Sequence, residues 1–253
     1  MEPFVLALFA FIGLGAGLLI GCVGIGGVIV VPALVYLLDV PIHVAIAAAM
    51  FAFLLSGVVG TFVFARSNSI RWDMTAWMWA GAMPAAFAGA LAASAVSGWV
   101  IELAVGLLTA GSGVHSLIGR SHPETAEGGE ISKPALGIIG AFTGFTSALT
   151  GTGGPLVLIP ILVWLKLPVL AAIGLAQAIQ LPIAVLATGG NAVAGTLDPM
   201  LGAILGAGIV FGTWGGAKLA HVLPRSILRA FVSAMLVIVG GLILLKLMLS
   251  FGG

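Results

Sequence analysis

Charge is the scarcest feature of this 253-residue chain: Asp, Glu, Lys and Arg together make up 7% of it. Soluble domains carry about 25%. So little charge cannot cover a water-facing surface of this size, which excludes a soluble globular protein. An apolar content of 61% excludes a disordered one. Nine Lys+Arg against eight Asp+Glu leave a net charge of +1, so nothing attracts nucleic acid. The single cysteine, Cys22, excludes an internal disulfide framework and a cysteine-ligated zinc site. No charged residue falls at the centre of an apolar run, so the usual intramembrane proton or sodium relays are missing. No His/Cys/Asp/Glu cluster offers a metal site. No nucleophile elbow or phosphate-binding loop supports catalysis or nucleotide use. The expectation is a polytopic membrane protein, not an enzyme, with no cofactor and no metal.

Apolar runs long enough to cross a bilayer, about 20 residues as helix, dominate what is present. They are Pro3–Leu38, Ile42–Ala65, Met74–Ser97, Trp99–Gly119, Pro134–Leu165, Val169–Gly190, Leu197–Ala220 and Ile227–Phe251. Continuous Ala, Leu, Ile and Gly favour helices over the alternating pattern of a β-barrel. Thirty-eight glycines suit closely approaching membrane helices. One polar stretch, 120–133, divides the chain and reads as a solvated linker. Met1-Glu-Pro3 has no basic run and no evident cleavage site, so a cleaved signal peptide is not expected.

The halves on either side of that linker resemble each other. Gly17-Leu-Leu-Ile-Gly-Cys-Val-Gly-Ile-Gly-Gly27 leads into an apolar run ending at Pro32. Gly144-Phe-Thr-Ser-Ala-Leu-Thr-Gly-Thr-Gly-Gly154 leads into one ending at Pro160. Pro41, Thr61, Gly81 and Gly89 fall on Pro168, Thr188, Gly208 and Gly216. Duplicated halves are a common build for secondary transporters. The expected domains are a first repeat, 1–119, a cytoplasmic linker, 120–133, and a second repeat, 134–253.

Charge placement decides whether each glycine cluster breaks a crossing helix or turns one back, because cytoplasmic loops collect Lys and Arg. With each first segment as a re-entrant V, Arg66, Arg71, Arg120, Lys133, Lys166, Lys218, Arg225 and Arg229 share one face and only Lys246 faces the other. With each as a single crossing, the split is 5 to 4. The V is therefore expected, with arms of thirteen residues each (Leu8–Ile20 and Val28–Val40), about 20 Å as helix. Both termini then lie outside, as do Glu2, Asp39, Glu102 and Asp198. An odd number of crossings per half makes the repeats inverted. The expected fold is an all-α polytopic membrane protein of two inverted repeats, each a re-entrant broken helix pair plus three transmembrane helices, in the plasma (inner) membrane.

Backbone polar groups cannot be left bare in lipid, so two breaks at depth have to be buried in protein or line a polar cavity. Pro155 suits a first helical position. The N–H groups of Gly26, Gly27, Gly153 and Gly154 would then face the cavity at helix N-termini, each carrying roughly half a positive charge. Such amides bind anions without a fixed cation. Thr150 and Thr152 add hydroxyls, and Cys22 only a weak S–H donor. The competing view is that the glycines merely allow tight packing. Two related copies favour a binding site.

At these residues the sequence resembles the sulfite exporter TauE/SafE family of membrane permeases. The resemblance rests on Gly24-Ile-Gly-Gly with Pro32, on Gly151-Thr-Gly-Gly-Pro with Pro160, and on Met83-Pro-Ala-Ala-Phe-Ala-Gly89, and it covers essentially the whole chain. In the first copy proline comes one residue early and Val28 stands where a third glycine is common. The resemblance implies export of a small sulfur oxyanion, sulfite or an organosulfonate.

Gln177 and Gln180 share one helix face at mid-span, while their repeat partners, Met50 and Phe53, are apolar. They read as amide donors to an oxyanion, or as interhelical hydrogen bonds. Ser56, Ser147 and Thr213 read as packing, since hydroxyls often bond their own helix. Trp77, Trp79 and Trp99 read as interfacial anchors and Trp214 as buried. The expected substrate-binding set is Gly24, Gly26, Gly27, Thr150, Gly151, Thr152, Gly153, Gly154, Gln177 and Gln180. The expected partners are the oxyanion and membrane lipid, with no nucleic acid. The alternative function is a non-transporting membrane scaffold or assembly subunit.

Overall fold

The computed structural model describes residues 3–24, 26–68, 70–118, 131–165, 167, 169–220 and 225–252. Most of the expected linker, Ile25 and Lys166 therefore lie outside the described residues. The described chain forms helices α1 (Pro3–Val23), α2 (Gly27–Leu38), α3 (Ile42–Arg66), α4 (Trp72–Ala95), α5 (Gly98–Ile118), α6 (Lys133–Thr150), α7 (Pro155–Trp164), α8 (Val169–Val193), α9 (Pro199–Ala220) and α10 (Arg225–Gly252), and no strand. The six unbroken spans end within three residues of where hydropathy puts them. The two glycine-rich runs are each split in two. Among the described residues α3, α4, α8 and α9 are long and apolar enough to cross a membrane. The protein is an all-helical polytopic membrane protein.

The arms of the split runs depart from thirteen residues each. α1 has 21 residues and α6 has 18, whereas α2 has 12 and α7 has 10. Nothing in the long arms interrupts the helix before Gly24 and Gly151, the first positions with positive φ. At 1.5 Å per residue α1 is about 32 Å long, close to the thickness of the hydrocarbon core.

Glycine fixes how the helices meet. Gly13, Gly17 and Gly21 lie four apart on one face of α1, where a side chain would run into the backbone of Leu205, Ile209 and Thr213 on α9. Gly208, Gly212 and Gly216 of α9 answer them against Ala10, Leu14 and Leu18. Small residues at this spacing let two backbones pack at van der Waals distance, which is what holds helices together where lipid removes the hydrophobic drive. α4 and α6 repeat the arrangement, with Gly140 against Met78, Gly144 against Ala82, Gly81 against Gly137 and Gly89 against Phe145. Each of these contacts corresponds to one between α1 and α9, shifted by 127 residues.

The same contacts give directions. α1 and α9 run parallel, since Gly13 meets Leu205 and Gly21 meets Thr213. α3 also runs parallel to α9, with Phe51 at Gly202 and Leu55 at Gly206. α1 and α3 therefore point the same way, and α2 between them has to return. Likewise α6 and α8 both run parallel to α4, the latter with Trp79 bonded to the Ala178 carbonyl and Phe87 at Gly190. α7 has to return as well. Each split run is thus a hairpin and not a kinked crossing. α3 and α8 cross antiparallel, Thr61 reaching Gln177 and Ser56 reaching Gln180.

These directions put Arg66, Arg71, Lys133 and Lys218 at one end of the bundle, with the start of α10. Asp39, Glu102, Asp198 and Lys246 lie at the other, where Tyr36 donates to Glu102 and Lys246 sits 4.0 Å above the Tyr36 ring. Cation–π contacts mark the cationic end: Arg66 on Phe62, Lys133 on Trp77 and Lys218 on Trp214. Trp214 departs from expectation. It is half-exposed, because the small face of α9 is used against α1 and leaves the indole outside beneath Lys218.

Candidate functional site

Each break is made by glycine in a conformation that other residues avoid. α1 closes with Gly24 at φ +80°, its N–H bonded to the Ile20 carbonyl. Gly26 precedes α2 with no side-chain cap. α6 closes with Gly151 at φ +72°, and both Gly151 and Thr152 donate to the Ser147 carbonyl, a glycine-terminated helix end. Gly153 and Gly154 stay left-handed at +82° and +102°, and α7 opens on Pro155 as its sequence suggests. An L side chain in left-handed geometry costs about 1–2 kcal/mol per residue.

Two new helices start immediately after these turns. Among the described residues, the amides of Gly26, Gly27, Gly153 and Gly154 make no hydrogen bond. The next available amides do: Ile29 donates to Gly26, and Val157 and Leu158 donate to Gly154. These unpaired donors sit at the positive ends of α2 and α7.

The two breaks touch. A methyl group on Gly24 would lie 2.8 Å from Cδ1 of Ile159 and 3.5 Å from Cβ of Pro155. One on Gly27 would lie 2.6 Å from the Thr152 carbonyl oxygen. Gly151 abuts Val31 and Ile46. Between the breaks stands the fully buried ring of Phe53, whose Cζ is 3.0 Å from a methyl placed on Gly27 and whose Cδ2 is 2.9 Å from one placed on Gly153. All six glycines of the expected set are buried.

The polar residues divide. Thr150 donates to the Thr146 carbonyl, and its Oγ1 lies 3.0 Å from Oγ1 of Thr152 at the turn itself. Ser147, expected only to pack, is fully buried with an unpartnered hydroxyl, 3.9 Å from where a Gly154 methyl would stand. Gln177 donates through Nε2 to the Ile20 carbonyl at 2.9 Å, the turn before the first break. Its Oε1 is buried without a partner, against Gly60. Gln180 spends both amide hydrogens on protein, on the Phe53 carbonyl at 3.3 Å and on Ser56 Oγ at 2.7 Å. Both glutamines thus tie α8 to the first half in this arrangement. Cys22 points away from the break, with its Sγ 3.0 Å from the Gly216 carbonyl. Sequence reasoning left Phe53, Ser147 and Gly60 out of the binding set. Phe53 and Gly60 carry no polar signal, and a serine on a helix looks like packing.

Among the described residues no group of three His, Cys, Asp or Glu could hold a metal ion. Backbone amides and hydroxyls are the donors that the breaks offer, a chemistry suited to a small solute with hydrogen-bond acceptors, while the Gln177 amide oxygen can only accept.

An all-helical membrane protein with two facing breaks is the class this architecture defines. The profile of the sulfite exporter TauE/SafE family matches residues 9–243. The chain belongs to that family, which is one of membrane transporters and not of enzymes. It is also similar to a probable membrane transporter protein of Methanocaldococcus jannaschii, 24% identical over 177 residues. That match covers 67% of this chain and 66% of the relative, a little under two thirds of the relative's own length. No solved structure matches the chain significantly.

Proposed function

We propose that this chain is a secondary transporter that exports a small sulfur-containing oxyanion, sulfite or an organosulfonate, from the cytoplasm. One observation carries the reading: two sets of glycine amides without a partner among the described residues, Gly26–Gly27 and Gly153–Gly154, begin helices at breaks that touch. The unpartnered Ser147 hydroxyl beside Gly154 points to the same use. The anion takes these amides and the hydroxyls of Ser147, Thr150 and Thr152. Gly24 and Gly151 shape the turns. Gln177 and Gln180 hold α8 against the first half, and their amides turn to the anion when the halves separate.

Residues 1–119 and 134–253 act as inverted repeats joined by a cytoplasmic linker. Support comes from the contacts repeated at a 127-residue shift and from the opposite directions of α3 and α8. Each hairpin re-enters the bilayer. The cationic end faces the cytoplasm of the plasma (inner) membrane, leaving both termini outside. An inside-negative potential drives an anion outward by about 2.3 kcal/mol per charge per 100 mV, so export needs no carboxylate relay. Rocking of one repeat against the other gives alternating access. A non-transporting scaffold would also use tight glycine packing, but it has no need of buried unpaired donors, which cost free energy.

Purified protein in liposomes, loaded with labelled sulfite under an imposed voltage, should give saturable flux that unlabelled sulfonates inhibit. Absence of flux for sulfite and for every sulfonate tried would overturn the reading in favour of the scaffold.

A further inference from the structure

The geometry points to Phe53 as the residue that closes this site and sets the size of anion it accepts. The inference rests on the transport reading above. The ring is fully buried and stands where a side chain on Gly27 or on Gly153 would be, so phenyl fills the space beside two of the four unpaired amides. An anion reaches those amides only when the ring leaves. The backbone beneath the ring is pinned, because the Phe53 carbonyl accepts from Gln180 Nε2 and from the Ser56 hydroxyl. Displacement by side-chain rotation is therefore easier than displacement of α3. The position equivalent to Phe53 in the second half is Gln180, so one half supplies the ring and the other the residue that holds its backbone.

A plug of this kind has a chemical signature. Removing the ring leaves an apolar, phenyl-shaped space beside the anion donors, and apolar cavities of about 150 Å³ accept benzene. Benzenesulfonate would put its ring in that space and its sulfonate on the amides. The wild-type protein and the Phe53→Ala and Phe53→Leu variants, reconstituted in liposomes, would be compared for flux of sulfite and of benzenesulfonate. Phe53→Ala should raise the benzenesulfonate-to-sulfite flux ratio by about tenfold or more, the scale on which apolar pockets discriminate by size. Phe53→Leu should raise it less, and it carries the test if the alanine variant does not fold. A ratio unchanged in the folded variants, or a parallel fall in both fluxes, would overturn the assignment of Phe53 while leaving sulfite transport standing. A wild-type protein that moves neither anion would overturn both readings.

Discussion

The two helix breaks use one device with different equipment. The first has a single left-handed glycine, Gly24, among the described residues, and the Cys22 thiol beside it is turned onto Gly216. The second has three left-handed glycines, a proline that opens its helix, two threonine hydroxyls and an unpartnered serine. The free amides after each turn are common to both. The difference teaches that free amides at a helix start require neither one backbone conformation nor one set of side chains, since Gly26 is right-handed at φ −65° and Gly153 left-handed at +82°.

The comparison fails most completely if the hairpins are not related by inversion. In a Cys22→Ala background, cysteines placed singly at Asp39 and Asp198 should label from the same, outer side of the membrane. Labelling from opposite sides would mean that the second glycine-rich segment, α6–α7, crosses, and the comparison would lose its basis.

A large effect is expected from Gly153→Val. The residue is left-handed and Phe53 already fills the space a side chain needs. The strain of about 1–2 kcal/mol adds to about 1–3 kcal/mol of overpacking, and saturable flux should disappear. Gly24→Ala meets the same backbone strain, but its methyl meets only the far end of Ile159. It should lower thermal stability less and keep measurable flux. Equal losses in the two variants would erase the distinction between the breaks.

The smallest effect belongs to Gln177→Leu, which removes the bond to the Ile20 carbonyl. Interhelical hydrogen bonds in membrane proteins average about 0.6 kcal/mol, so the unfolding midpoint in detergent should fall slightly while anion affinity weakens. Unchanged affinity would leave Gln177 as a tie between α8 and α1 and nothing more.

The spans, the position of both breaks and the segregation of charge were legible in the sequence. Leucine-rich runs, G-x-G-G clusters and the placement of Arg66, Lys133 and Lys218 carry those signals within a few neighbouring residues. The unequal arms were not legible. Glycine is a poor helix former, and only α9 packed against Gly13, Gly17 and Gly21 shows why α1 runs on to Val23. The half-exposed Trp214 follows from the same packing, which turns the small face of α9 inward.

The sequence by itself determined that the chain lives in lipid, where its unbroken spans stop and which end of the bundle is cationic. Hydropathy, left-handed glycine and charge are properties that a residue carries with it. Only the tertiary structure decided which polar groups remain unpaired. A hydrogen bond is saturable, so whether Gln180 or a glycine amide is free depends on the acceptor beside it. Folding set Ser56 and the Phe53 carbonyl against the glutamine and left the amides of Gly153 and Gly154 without a partner among the described residues.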